Sequence, residues 1–203
     1  MRLLLVRHGE TAYNRDGLGL GVADAPLTPI GLQQTAKAVE CLSDESVTHI
    51  LTSPLQRALG IAKGLAAVTG VAAEVRDELI EMDVGETEGV PFGEMNERFP
   101  GFLEAWNGVD PSGVVIPGGE SLMDVSTRIE SLVLELQALP EESVVAVVSH
   151  NFVLRLLISR LLGLELPAFR SFRIDLASIS TLMLRAGEAS LRTLNDCCHL
   201  DEA

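Results

Sequence analysis

Two runs constrain this chain more than anything else in it. Leu3-Leu4-Leu5-Val6 and Val144-Val145-Ala146-Val147-Val148 are apolar without interruption and then stop. A short apolar run that does not alternate is buried on both faces, the condition of a strand in a parallel sheet covered by helices on each side. Helical spacing fills the intervals. Gly31 to Leu42 carries Leu32, Ala36, Val39 and Leu42 on one face. Pro54 suits the first turn of a helix running to about Thr69, with Gly70 as its stop. Glu120 to Leu139 reads as one long amphipathic helix with Leu122, Val125, Ile129, Leu132, Val133 and Leu136 inward, ended by Pro140.

The remaining elements follow the same alternation. His49 to Thr52 and Val71 to Val75 are expected strands, and Phe152 to Leu162 an expected helix capped by Gly163. Ile179 to Leu184 and Ser190 to Leu194 read as a terminal hairpin around Gly187. Strands alternating with helices predict an α/β fold, three layers α/β/α with a largely parallel central sheet. The stretch 82–117 differs. It is rich in Gly and Pro, with short helical pieces at Phe92 to Phe99 and Phe102 to Trp106. It is expected as a lid-like insertion in a single domain spanning 1–203, and not as a second domain.

Charge and cysteine content narrow the function classes. The chain has 29 Asp+Glu against 15 Lys+Arg, a net charge of −14. Such a surface repels nucleic acid and anionic membranes. The apolar run near Met1 is too short for a signal-peptide core or a membrane span. Cys41, Cys197 and Cys198 are odd in number and lack the paired spacing of a zinc site or a disulfide framework. A cytoplasmic protein without metal or other cofactor is expected. A redox role for Cys197-Cys198 rests only on adjacency, and reactivity needs a depressed thiol pKa that adjacency does not supply.

Against this acidic background, three strand ends carry cationic chemistry. The first run ends in Arg7-His8-Gly9-Glu10-Thr11, the second strand in Ser53-Pro54-Leu55-Gln56-Arg57, and the Val144 run in Ser149-His150-Asn151. Ligands of open α/β sheets sit beyond the carboxyl ends of the strands, and parallel strands put those ends on one edge. The helices that follow aim their N-termini at the same edge. A single Arg after a strand is usually a solvated residue, and a lone His is usually structural. Two Arg and two His converging on one edge instead suit a dianion such as a phosphate monoester.

These motifs, in order, resemble the histidine phosphatase superfamily, also called the phosphoglycerate mutase-like family. The resemblance extends through Asn14, Ala25-Pro26-Leu27-Thr28, Ser53 to Ala58, Glu81 with Gly85, Glu88-Gly89, Pro117-Gly118-Gly119-Glu120-Ser121 and Ser149-His150. It implies that His8 is the nucleophile of a phosphohistidine intermediate, its tautomer fixed by the Gly9 carbonyl. Nearby Arg7 and Arg57 should disfavour the imidazolium. It implies that Arg7, Arg57 and His150 hold the phosphoryl oxygens, with Asn14 as a neutral donor. Glu81 would be the acid and then the base, with Glu78 or Glu86 in its place under a shifted register. The cationic cluster would do the work that a metal does elsewhere.

Three departures bear on substrate. Leu18 and Leu20 stand where many members carry Arg and Gln, Thr87 where an aromatic is common, and Asn151 where Gly is common; Asn151 is therefore a candidate phosphate or substrate donor. The function implied is a phosphomonoesterase acting on a small phosphorylated metabolite. The alternatives are a phosphoglycerate mutase or a phospholigand-binding protein without turnover. The intact set Arg7, His8, Arg57, Glu81 and His150 weighs against the last, and the short chain against the mutase. A homodimer is compatible with the resemblance.

Overall fold

The computed structural model describes residues 1–201. Six strands form one mixed sheet in the order β3-β2-β4-β1-β5-β6: β1 (Arg2–Arg7), β2 (His49–Thr52), β3 (Ala73–Val75), β4 (Val144–Ser149), β5 (Ile179–Arg185) and β6 (Glu188–Asp196). The strands β3, β2, β4 and β1 are parallel, whereas β5 runs antiparallel to β1 and β6 to β5. The two central runs of the sequence, β1 and β4, lie side by side in the middle of the sheet.

Helices cover both faces, as unbroken apolar strands require. Leu3, Leu5, Val145 and Val147 point into one core. It is closed by α6 (Leu122–Arg128), α7 (Glu130–Ala138) and α8 (Asn151–Leu161). Leu4, Val6, Ala146 and Val148 point into the other, closed by α2 (Pro29–Leu42) and α3 (Gln56–Thr69). Each large aliphatic side chain buried this way contributes about 1.5–3 kcal/mol. The hairpin between β5 and β6 turns at Ala186-Gly187, both with positive φ, which matches the twist of a two-residue hairpin loop.

Two expectations are corrected. In α2 the inward face is Gly31, Ala38 and Leu42, while Ala36 is exposed and Leu32 is 59% exposed. Gly31 fixes that rotation: a Cβ there would run into the Glu10 carbonyl, and one on Gly9 would lie 2.5 Å from the Gly31 oxygen. Thr28 caps the helix by accepting from the Gly31 N–H at 3.0 Å. The second correction is that Glu120 to Leu139 is not one helix. It breaks at Ile129 between α6 and α7, although every predicted inward residue is buried. Just before the break, the Thr127 hydroxyl donates back to the Met123 carbonyl at 2.8 Å, a bond that bends helices.

The stretch 82–117 leaves the sheet edge and returns to it. Its short helices are α4 (Met95–Arg98) and α5 (Pro100–Trp106). Its ends meet where Glu86 N–H donates to Pro117 O at 2.8 Å and Glu120 N–H to Asp83 O at 2.9 Å. Gly85 has φ +47, and a Cβ there would collide with the Pro117 carbonyl. Among the described residues, no helix is long and apolar enough to cross a membrane.

Candidate active site

The carboxyl ends of β1, β4 and β2 lie abreast, and the ladder continues one residue past them. Arg7 pairs with Ser149 in register, His8 N–H donates to Ser149 O at 3.1 Å, and Ser53 N–H to Val148 O at 3.0 Å. The functional side chains therefore start from sheet hydrogen bonds and not from free loops. His8 and His150 are brought to 5.1 Å between ring centroids, tilted by 53°. Both are buried.

Hydrogen bonds assign the tautomers. His8 Nδ1 lies 2.7 Å from Gly9 O. A carbonyl only accepts, so Nδ1 carries the proton and Nε2 keeps its lone pair. His150 Nδ1 accepts from Arg57 Nε at 3.2 Å, so its Nε2–H donates to Ser53 Oγ at 2.8 Å. Burial pushes both imidazole pKa values well below the ordinary range. Arg7 and Arg57 push His8 lower still, while His8, Arg57 and Arg7 do the same to His150.

The two arginines are placed differently. Arg7 NH1 donates to Ile174 O at 2.7 Å, and its buried Nε has no partner. Burial lowers its pKa to about 10. Arg57 is fully buried, and besides His150 its terminal nitrogens hold Ala23 O and Gly21 O, both at 2.6 Å. Glu88 holds the same loop from the other side, accepting from Gly21 N–H at 2.7 Å and Ala23 N–H at 3.1 Å. Asp24 accepts from Gln56 N–H at 2.7 Å, at the start of α3. Sequence reading placed Glu88 in a motif without giving it a role, because the loop it holds is distant from it in sequence. It missed Asp24, which is one exposed carboxylate among many in an acidic chain.

Glu81 is buried against the start of α8. Its carboxylate accepts from Met82 N–H at 2.9 Å and from the N–H groups of Phe152 and Val153 at 3.2 to 3.4 Å. Burial raises its pKa, opposed by those backbone donors and by Arg57 and Arg7. Arg128 fixes the backbone beneath it, donating to Glu78 O at 2.6 Å and Glu81 O at 3.2 Å while paired with Glu120 at 3.0 Å. The alternatives Glu78 and Glu86 do not line the cavity described next.

A cavity of about 280 Å³ opens over these groups. Arg7, His8, Asn14, Glu81 and Asn151 form its polar floor, whereas Arg57 and His150 stand behind that floor. Asn14 Oδ1 is taken by Thr11 in the capping box of α1 (Ala12–Arg15), which leaves its amide NH₂ as the group to face a ligand. Leu18, Leu20, Val84, Phe92 and Trp106 form an apolar wall, with Thr87 among them. Trp106 packs edge-on to Phe152 and Phe169, both at 6.0 Å between centroids. Among the described residues, no group of three or more His, Cys, Asp or Glu side chains is placed to hold a metal ion.

Known proteins share the sequence pattern and the fold of this chain. A profile described as the histidine phosphatase superfamily (branch 1) matches residues 3–197. The chain is 33% identical over 202 residues to phosphoserine phosphatase 1 of Hydrogenobacter thermophilus, covering 100% of this chain and 95% of that protein. It is 33% identical over 207 residues to a probable phosphoglycerate mutase of Salmonella choleraesuis, covering 99% and 95%. The crystal structure of a putative alpha-ribazole-5′-P phosphatase from Escherichia coli matches with a TM-score of 0.87 at 33% identity, covering 97% of this chain and 96% of that one.

Proposed function

The chain belongs to the histidine phosphatase superfamily, and from that premise we propose that it hydrolyses a small phosphate monoester through a phosphohistidine formed on His8. The observation that carries this reading is the state of His8. It is buried, neutral, and oriented by Gly9 so that the free nitrogen is Nε2. A neutral imidazole with one lone pair is the form a nucleophile needs.

In the first step the Nε2 lone pair forms a bond to phosphorus, and the ester P–O bond breaks with its electron pair going to the leaving oxygen. Glu81, whose pKa burial raises, donates the proton that oxygen takes up. In the second step Glu81 accepts a proton from water, the hydroxide forms a new P–O bond, and the P–N bond returns its pair to Nε2. Phosphoryl transfer depends on positioning and on stabilising charge on the equatorial oxygens. Arg7, which lines the cavity, supplies guanidinium charge for this, Asn14 and Asn151 supply amide donors, and Arg57 and His150 hold the floor from behind. The stretch 82–117 serves as a lid, since Phe92 and Trp106 on it wall the cavity.

The test is phosphate release from p-nitrophenyl phosphate with EDTA present, which should proceed at the rate seen without chelator. A rate lost to EDTA and restored by magnesium would count against the cationic floor. The mutase-named relative favours a second reading, transfer of the phosphoryl group between hydroxyls of phosphoglycerate. Isomerisation outpacing phosphate release, and stimulated by bisphosphoglycerate, would select it.

A further inference from the structure

Thirteen arginines are spread along the chain, in a protein of net charge −14. Among the described residues, eight of them form an ion pair with a carboxylate. The five that do not are Arg7, Arg57, Arg155, Arg170 and Arg192. Arg7 and Arg57 belong to the site already described, and Arg192 lies on the outer strand β6. Arg155 and Arg170 have no such explanation, yet they lie together beside the site.

They line an open groove with Arg7, Asn151, Arg173 and Asp175. Arg7 and Asn151 line the catalytic cavity too, so the groove and the cavity meet at these two side chains. The single carboxylate in the groove is already engaged: Asp175 pairs with Arg173 at 2.8 Å and accepts from Asn195 Nδ2 at 2.8 Å. Arg155 is held in place, its Nε donating to Phe169 O at 2.8 Å and its guanidinium lying 4.9 Å from the Phe169 ring centroid. Neither of its terminal nitrogens has an acceptor among the described residues. Arg170 also lies over that ring, at 5.7 Å, and donates to the carbonyls of Gly108 and Trp106.

Gathering like charges with no carboxylate in direct contact opposes folding, and an anion held between them offsets that cost. Burial lowers the Arg155 pKa; the carboxylate of Glu81 opposes that shift, and the neighbouring Arg170 adds a smaller push downward. The geometry points to a second anion-binding subsite, built on Arg155 with Arg170 beside it, that takes a carboxylate or phosphate on the organic part of the substrate. The subsite rests on the reading that the substrate's phosphoryl group sits at His8. It narrows the substrate class to phosphate monoesters bearing a second negative group. Arg155 is then a specificity-determining residue, and the fork of its free nitrogens suits either anion.

Two substrate pairs test it, each differing in the second anion. They are 3-phosphoglycerate against glycerol 3-phosphate, and fructose 1,6-bisphosphate against fructose 6-phosphate. Affinity is measured by calorimetry on the His8→Ala protein, where no turnover is needed, and kcat/KM on the unaltered enzyme. A charge-assisted contact predicts that the doubly anionic member of at least one pair is preferred by about 10- to 100-fold. Discrimination in the first pair assigns a carboxylate, and in the second a phosphate. Arg155→Ala should remove the preference and Arg155→Lys should keep part of it. If the alanine variant does not fold, the lysine variant and the unaltered pair ratios still decide. Equal affinity within both pairs, or a preference untouched by substitution of Arg155, overturns the subsite. Turnover without anion preference sinks the subsite and leaves the phosphatase reading; anion-selective binding without hydrolysis of any ester does the reverse.

Discussion

The floor of the cavity and its wall are built on opposite principles. The floor stands on parallel strand ends, where ladder hydrogen bonds run on into His8 and Ser53 and side-chain hydrogen bonds orient both imidazoles. The wall is assembled from separate pieces: Leu18 and Leu20 from one loop, Val84 and Phe92 from the stretch 82–117, and Trp106 from α5, a short helix without a side-chain cap. A floor that moves by a fraction of an ångström loses its chemistry. A wall can change its side chains and keep it. On the proposed reading, the floor sets the reaction, and the wall and the arginine groove set the choice of substrate. This fits a family whose relatives carry different substrate names at 33% identity.

Substitutions on each side should separate the two roles. The largest effect belongs to the floor. His8→Ala should lower kcat by roughly 10⁴- to 10⁶-fold for every ester, the scale seen when a nucleophile is removed. Next is Glu81→Gln, which should slow turnover by about 10²- to 10⁴-fold for alkyl phosphates and much less for p-nitrophenyl phosphate, whose leaving group needs no proton. An equal loss on both would argue against the acid role. The pH profile follows with a definite sign. The lowered pKa of His8 keeps it neutral to well below pH 6.5, and the raised pKa of Glu81 keeps it protonated to higher pH than an ordinary carboxyl. The optimum of kcat/KM should lie on the acid side, with an alkaline limb that Glu81→Gln flattens. The smallest effect belongs to the wall. Trp106→Ala should reorder substrates by about 10- to 200-fold in kcat/KM according to their apolar bulk. It should leave the pH profile of the remaining activity in place. A shifted profile would mean that the wall supports the floor.

How much of this could be read from the letters follows the same division. The apolar runs of β1 and β4 and the motifs at their ends were legible, because burial on both faces and ordered strand ends leave a local mark. The α/β/α layering followed from them. The rotation of α2 was not legible. Leu32 and Ile30 look like core residues, but the close backbone approach at Gly9 and Gly31 turns them outward. Nor was the break at Ile129, since the apolar period runs straight through it. Arg57 could be named but not its turn toward Gly21 and Ala23, which depends on a loop distant in sequence. Arg155 did leave a signal that went unused: it stands four residues after Asn151 on α8, on the same helix face.

The most direct measurement is a rapid quench with ³²P-labelled substrate, followed by mapping of any label retained on the protein. The account predicts a phosphoryl group that is acid-labile and alkali-stable, located on His8 and absent from the His8→Ala protein. Label appearing in that variant at the unaltered enzyme's level, or turnover with no phosphoenzyme at any quench time, would contradict it.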